Sequence, residues 1–182
     1  MIKVFLGGSR KIPRLAKPVR ERIDTIVKKG LWVLVGDANG ADKTLQKYLA
    51  EKNYRKVTVF CSGNQCRNNI GNWEIHKVKT ERKKKDFLYF VAKDIAMCDE
   101  ADYGFMLWDG KSKGTLNNVM ELLGKHKDVV VYFSPKKSFL TLRAIVDIQK
   151  LFDICSPNDI SNIVRELEQL RINPVCEQLS FA

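Results

Sequence analysis

Three polar, glycine-containing clusters hold the residue types best suited to chemistry in this sequence. They are Gly7-Gly8-Ser9-Arg10, Gly36-Asp37-Ala38-Asn39-Gly40-Ala41-Asp42 and Trp108-Asp109-Gly110-Lys111-Ser112-Lys113-Gly114-Thr115. Each follows directly on a short apolar run. Glycine lets a backbone approach a ligand closely, and free amides at the start of a following helix attract phosphate. Gly8, Gly36, Gly40, Gly110 and Gly114 are therefore candidate backbone contacts. Ser9, Arg10, Ser112 and Thr115 carry the hydroxyl and guanidinium donors that phosphate oxygens accept from. Asp37, Asp42 and Asp109 put carboxylates at the same rim, either to meet a ligand or simply to order turns and caps. Trp108 either stacks on a base or fills the core.

Other chemistries lack their signatures. There is no G-x-G-x-x-G dinucleotide fingerprint after the first apolar run, no P-loop and no G-x-S-x-G elbow. His76 and His126 are far apart in the pattern, and His126 ends a helix. Cys61, Cys66 and His76 could supply three metal ligands, but the spacing is loose and a fourth is lacking. Five cysteines, an odd number without framework spacing, read as reduced thiols. No cofactor or metal is expected. No apolar run approaches the roughly 18 residues that cross a bilayer, and the opening residues lack signal-peptide character. The expectation is a soluble, cytoplasmic protein with no membrane partner.

Charge points to an anionic partner. The chain has 32 Lys and Arg against 21 Asp and Glu, a net charge of +11. Residues 1–30 carry net +7 and residues 67–93 net +5, whereas residues 151–182 carry net −3. A nucleotide phosphate fits this balance, and nucleic acid is the alternative, although no helix-turn-helix, zinc-finger, RRM or KH pattern is present. The run Arg82-Lys83-Lys84-Lys85 falls where a helix is expected to begin. Cations there oppose the helix dipole, which suggests that Arg82 holds an anion.

The elements that would position these residues alternate regularly. Apolar runs at Ile2–Leu6, Leu31–Val35, Lys56–Phe60, Tyr103–Trp108 and Val129–Phe133 read as buried strands. Helical periodicity predicts Pro18–Lys29, Ala41–Lys52, Glu81–Met97 (with Thr80 as N-cap) and Leu116–Lys125. Residues 61–80 read as a long loop. Continuous rather than alternating apolar strands suit a parallel sheet covered on both faces. The expected fold is α/β: a Rossmann-like, doubly wound, five-stranded parallel sheet with helices on both faces over residues 1–135. Residues 136–182 read as an appendage of two helices, Phe139–Phe152 and one opened by Ser156-Pro157. The second carries a stripe of Ile160, Ile163, Val164, Leu167 and Leu170 and ends at Asn173-Pro174. The appendage packs on the sheet or forms the interface of a homo-oligomer.

Taken in order, Gly8-Ser9-Arg10, Gly36-Asp37-x-x-Gly40-Ala41-Asp42, Arg82-Lys83 and Trp108-Asp109-Gly110-x-Ser112-x-Gly114-Thr115 resemble the SLOG superfamily over about residues 1–135. That superfamily includes DprA-like and LOG-like proteins, and the match is nearest to its small YspA-like bacterial and phage members. The resemblance implies a nucleotide or nucleotide-derived ligand at the carboxyl edge of the sheet. LOG-like members hydrolyse the N-glycosidic bond of a nucleoside monophosphate, using an Arg in an R-K pair and a Glu three positions after a G-G-x-G-T turn. Arg82-Lys83 and Gly114-Thr115 match these parts, but Asn118 stands at the Glu position. Asn118 would then be a ligand contact, with Glu121 or Asp109 as the candidate catalytic carboxylate. Hydrolase, nonenzymatic nucleotide sensor, basic nucleic-acid binder and nucleoside deoxyribosyltransferase-like enzyme all remain open at this point.

Overall fold

The computed structural model describes residues 1–169. In chain order the elements are β1 (Lys3–Gly8), α1 (Lys17–Lys28), β2 (Trp32–Gly36), α2 (Ala41–Glu51), β3 (Val57–Ser62) and β4 (Glu74–Val78). Next come α3 (Phe87–Glu100), β5 (Tyr103–Trp108), α4 (Lys113–Gly124), β6 (Val129–Phe133) and β7 (Ser138–Leu142). A single 3-10 turn (Ile145–Asp147) leads to α5 (Ile148–Phe152) and α6 (Pro157–Gln169). The strands form one sheet in the order β4-β3-β2-β1-β5-β6-β7. All neighbours are parallel except β6 and β7, which form an antiparallel hairpin.

Strand alternation divides the core into two layers. Val4 and Leu6 of β1, Val33 and Val35 of β2, and Phe105 and Leu107 of β5 face α1 and α2. Phe5, Leu34, Met106 and Trp108 face the opposite layer, with Met97 of α3, Met120 of α4, Leu151 of α5 and Ile163 of α6. Both faces of the central strands are therefore buried, which explains their continuous apolar runs.

Among the described residues the sheet has seven strands, not the expected five, and both additions lie at its edges. β4 (Glu-Ile-His-Lys-Val) sits within the expected loop 61–80, and none of its residues is buried. An edge strand pairs on one side only, so it needs no apolar run. Beside it, the buried Trp73 indole donates to Tyr54 O at 2.8 Å and anchors the approach. β7 lies where the helix Phe139–Phe152 was expected. Short apolar runs do not distinguish helix from strand by periodicity alone, and the turn after β6, with Lys137 at φ 49°, folds the chain back into a hairpin. The helix that remains, α5, has five residues.

α3 also starts later than expected. Its N-cap is Asp86, whose carboxylate accepts from Tyr89 N–H at 3.0 Å, not Thr80. Arg82 therefore precedes the helix, and its expected place at a helix start does not hold. A carboxylate placed to reach the third helical amide is a strong cap, and it sets the boundary beyond the lysine run. Leu170 and Asn173-Pro174, read as the end of the last helix, lie outside the described residues.

Candidate functional site

The chain leaves β1 through β2, β3 and β4 on one side, then returns to β1's other flank at β5. Such a reversal opens a crevice at the carboxyl ends of the two central strands. Here it holds a cavity of about 530 Å³, lined by loops after β1, β2 and β5, one face of α3, the start of α4 and part of α6.

Asp109 ties these loops together. Its Oδ2 accepts from the buried Ser9 hydroxyl at 2.8 Å. Its Oδ1 accepts from the backbone N–H of Lys111 at 3.1 Å and of Ser112 at 2.8 Å. Both oxygens are thus engaged in holding loops. Ser112 caps α4, and its hydroxyl accepts from Thr115 N–H at 3.4 Å and from the Thr115 hydroxyl at 3.0 Å. The first-turn amides of Lys113 and Gly114 lie before any intrahelical partner, in a helix start that lines the cleft. Trp108 is fully buried, its indole N–H donating to Ser112 O at 3.1 Å, so it belongs to the core.

A charged cluster forms the floor. Lys93 of α3 is only 3% exposed and is paired with Asp94, and it stands near Asp42 in the first turn of α2. Gly36 makes the approach feasible: a Cβ there would lie 2.3 Å from Asp42 Oδ2 and 2.7 Å from Lys93 Nζ. Burial pushes the Asp42 carboxyl up to about 6, against the lowering pull of Lys93. Burial also disfavours the charged Lys93 amine, but Asp94, Asp42 and Asp37 outweigh it and hold its pKa above the ordinary value. Asn118, one turn into α4, is 7% exposed, and its Oδ1 has no hydrogen-bond partner among the described residues.

Among the described residues six cations line the cleft. Lys93 is paired as above, Lys111 meets Asp159 at 3.4 Å and Lys113 meets Glu166 at 2.8 Å. Among the described residues Arg10, Lys11 and Lys85 have no carboxylate partner. Arg10 lies over the Phe90 ring at 5.5 Å.

A second cavity, of about 320 Å³, adjoins the first, with Phe90 and Lys85 lining both. Asp37 lies here, beneath Arg67, which donates through Nε to Oδ2 at 3.0 Å and through a second nitrogen to Oδ1. Burial raises the Asp37 carboxyl, but the Arg67 hydrogen bonds more than offset this and hold it below its ordinary value.

Of the sequence candidates, Gly8, Ser9, Arg10, Asp42, Asp109, Ser112, Gly114, Thr115 and Asn118 come together in the one cleft. Gly36 lies behind its wall. Gly40, at φ 82°, packs where a Cβ would stand 2.2 Å from Arg10 O, and it thereby closes the first loop on the second. Gly110 backs onto Phe133. Arg82 is exposed and pairs with Asp86 at 3.3 Å, lining neither cavity. Glu121 pairs with Lys125 at 3.0 Å and also lies off both linings. His76 stacks on Phe60 at 4.5 Å and its Nδ1 meets Glu100 at 3.2 Å.

Sequence reasoning missed Lys93, Asp94, Phe90 and Arg67. An adjacent Lys-Asp pair inside the apolar run Phe87–Cys98 was a usable signal for the first two. Arg67 had none, because it meets Asp37 only through the fold.

No protein-family model matches this chain, and no curated protein matches it. Among solved structures, DNA processing protein A from Helicobacter pylori, described for its single-stranded DNA binding mode, is similar at 18% identity and a TM-score of 0.51. The similarity covers 71% of this chain and 64% of that one, so the chain spans less than two thirds of that protein's length. The class defined is a Rossmann-like α/β protein with a mostly parallel seven-stranded sheet. Among the described residues no helix is long and apolar enough to cross a membrane.

Proposed function

We propose that the cleft binds a nucleotide, free or as a unit of single-stranded nucleic acid, and does not cleave it. The observation that carries this reading is the convergence of Arg10, Lys11 and Lys85, all without carboxylate partners among the described residues, on the cleft that holds the α4 start. Unpaired cations and first-turn amides together form an anion site. The phosphate sits at the amides of Lys113 and Gly114, and the nucleoside lies against Phe87 and Phe90, with Asn118 Oδ1 accepting from a sugar hydroxyl or base N–H.

Binding without hydrolysis is favoured by the carboxylates. N-glycosidic cleavage builds positive charge on the sugar and calls for a free carboxylate beside it. Asp109 has both oxygens engaged, and Asp42 accepts from Ala38 N–H on the buried floor. Asp86, Asp94 and Glu166 are paired with Arg82, Lys93 and Lys113. Glu121 lies off the lining, and the neutral Asn118 takes the position where LOG-like enzymes place Glu. Membership of the SLOG superfamily near its YspA-like members belongs to the same proposal and rests on the sequence motifs. The single-stranded DNA form draws support from what the Helicobacter pylori protein binds and from the basic rim.

The test is calorimetry with a panel of nucleoside 5′-monophosphates, followed by chromatography for free base. Binding with no base released is expected. Released base would restore the hydrolase reading, and failure of every nucleotide to bind would remove the proposal.

A further inference from the structure

The second cavity differs chemically from the first, and the nucleotide reading gives it no task. Its guanidinium is neutralised, because Arg67 spends two N–H groups on Asp37 and lies over Phe90 at 4.3 Å. Apart from Lys85, the rest of the lining is neutral: Ser62, Asn64, Gln65, Tyr89 and Phe90. Ser62 is 5% exposed, and its Oγ has no hydrogen-bond partner among the described residues. A buried unmatched hydroxyl costs free energy unless a ligand supplies its partner. Neutral amide edges, an unmatched hydroxyl and flat aromatic and guanidinium surfaces suit a nucleobase, which has donors and acceptors at its edge and a π-face for stacking. They do not suit a phosphate. At the junction stands Lys85, which lines both cavities and has no carboxylate partner among the described residues.

We infer that the second cavity is a nucleobase subsite, so that the ligand is two nucleosides joined through phosphate, with the linking phosphate at Lys85 and Arg10. This inference rests on the nucleotide reading of the first cleft. The linked nucleosides come either from a free dinucleotide or from a single strand of nucleic acid.

The experiment measures the affinity of the whole chain for thymidine 5′-monophosphate, the 5′-phosphorylated thymidine dinucleotide and a ten-residue oligothymidylate. The dinucleotide should bind about ten-fold or more tighter than the mononucleotide, as expected for one further stacked base. Ser62→Val and Gln65→Ala should each remove most of that gain while leaving mononucleotide affinity unchanged. Gln65 is exposed, so its variant carries the test if Ser62→Val does not fold. A further gain for the ten-residue strand identifies single-stranded nucleic acid as the source, and equal affinity identifies a free dinucleotide. If the mononucleotide binds and the dinucleotide binds no tighter, or if the variants weaken both alike, the subsite is overturned while the first cleft stands. If neither binds, both readings fall.

Discussion

Two helices begin at the same cleft, and they treat its charge in opposite ways. α3 is capped by Asp86, a full negative charge that accepts from Tyr89 N–H and pairs with Arg82. α4 is capped by Ser112, a neutral hydroxyl that takes up Thr115 N–H. Each helix start presents about half a positive charge. At α3 the cap itself carries the counter-charge, whereas at α4 the cap is neutral and the nearest carboxylate, Asp109, bonds the Lys111 and Ser112 amides ahead of the first turn. On the proposed reading this leaves the first-turn amides of α4, and not those of α3, for an anion.

The largest effect should come from erasing this difference. Ser112→Asp places a carboxylate on α4, and nucleotide affinity should fall about 100-fold or more through lost charge-assisted bonding and added repulsion. Stability should change by less than about 0.5 kcal/mol, because Asp and Ser are comparable N-caps. Calorimetry and thermal melting read the two outcomes separately.

Next in size is Arg10→Ala, which leaves both caps intact and removes an exposed cation without a carboxylate partner. One charge-assisted hydrogen bond, about 1.5–3 kcal/mol, corresponds to a loss of at least ten-fold in binding with little change in melting temperature. Unchanged affinity would take Arg10 out of the site.

The converse exchange, Asp86→Ser, gives α3 the cap that α4 has. Affinity for the nucleotide should rise about three-fold, because one negative charge leaves the cleft wall. Unchanged or weaker binding in calorimetry would show that the carboxylate at α3 does not oppose the anion.

The smallest effect concerns pH. Asp42 lines the cleft with its carboxyl pushed up to about 6, so it takes up a proton as pH falls through that value and the cleft loses a negative charge. Binding of an oligonucleotide without terminal phosphate, whose charge does not titrate there, should tighten about two- to three-fold from about pH 7.5 to 5. Asp42→Asn should flatten that step. A step that persists in the variant would assign it to another group.

Legibility in the sequence followed burial. β1, β2, β3, β5 and β6 announced themselves because apolar runs are required where both faces are covered. β4 stayed hidden because its edge position leaves Glu74, His76 and Lys77 in water, and β7 because Phe139, Leu140 and Leu142 fit helix and strand equally well. The loop residues of the cleft were legible through glycine and hydroxyl chemistry after each strand. The start of α3 was not, since Thr80 and Asp86 are both acceptable caps and only the packed helix selects one. The Arg67–Asp37 pair was beyond reach, because 30 residues separate the partners and no local pattern joins them.

The most direct test of the central claim is an amide-resolved NMR titration with thymidine 5′-monophosphate. The Lys113 and Gly114 amide signals should shift with saturable dependence on the nucleotide and far less with thymidine alone, while those of Phe87 and Leu88, beside the nucleoside, should respond alike to both. A phosphate-dependent shift that falls on Phe87 and Leu88 rather than on Lys113 and Gly114, or no saturable shift at either helix start, would contradict the anion site at α4.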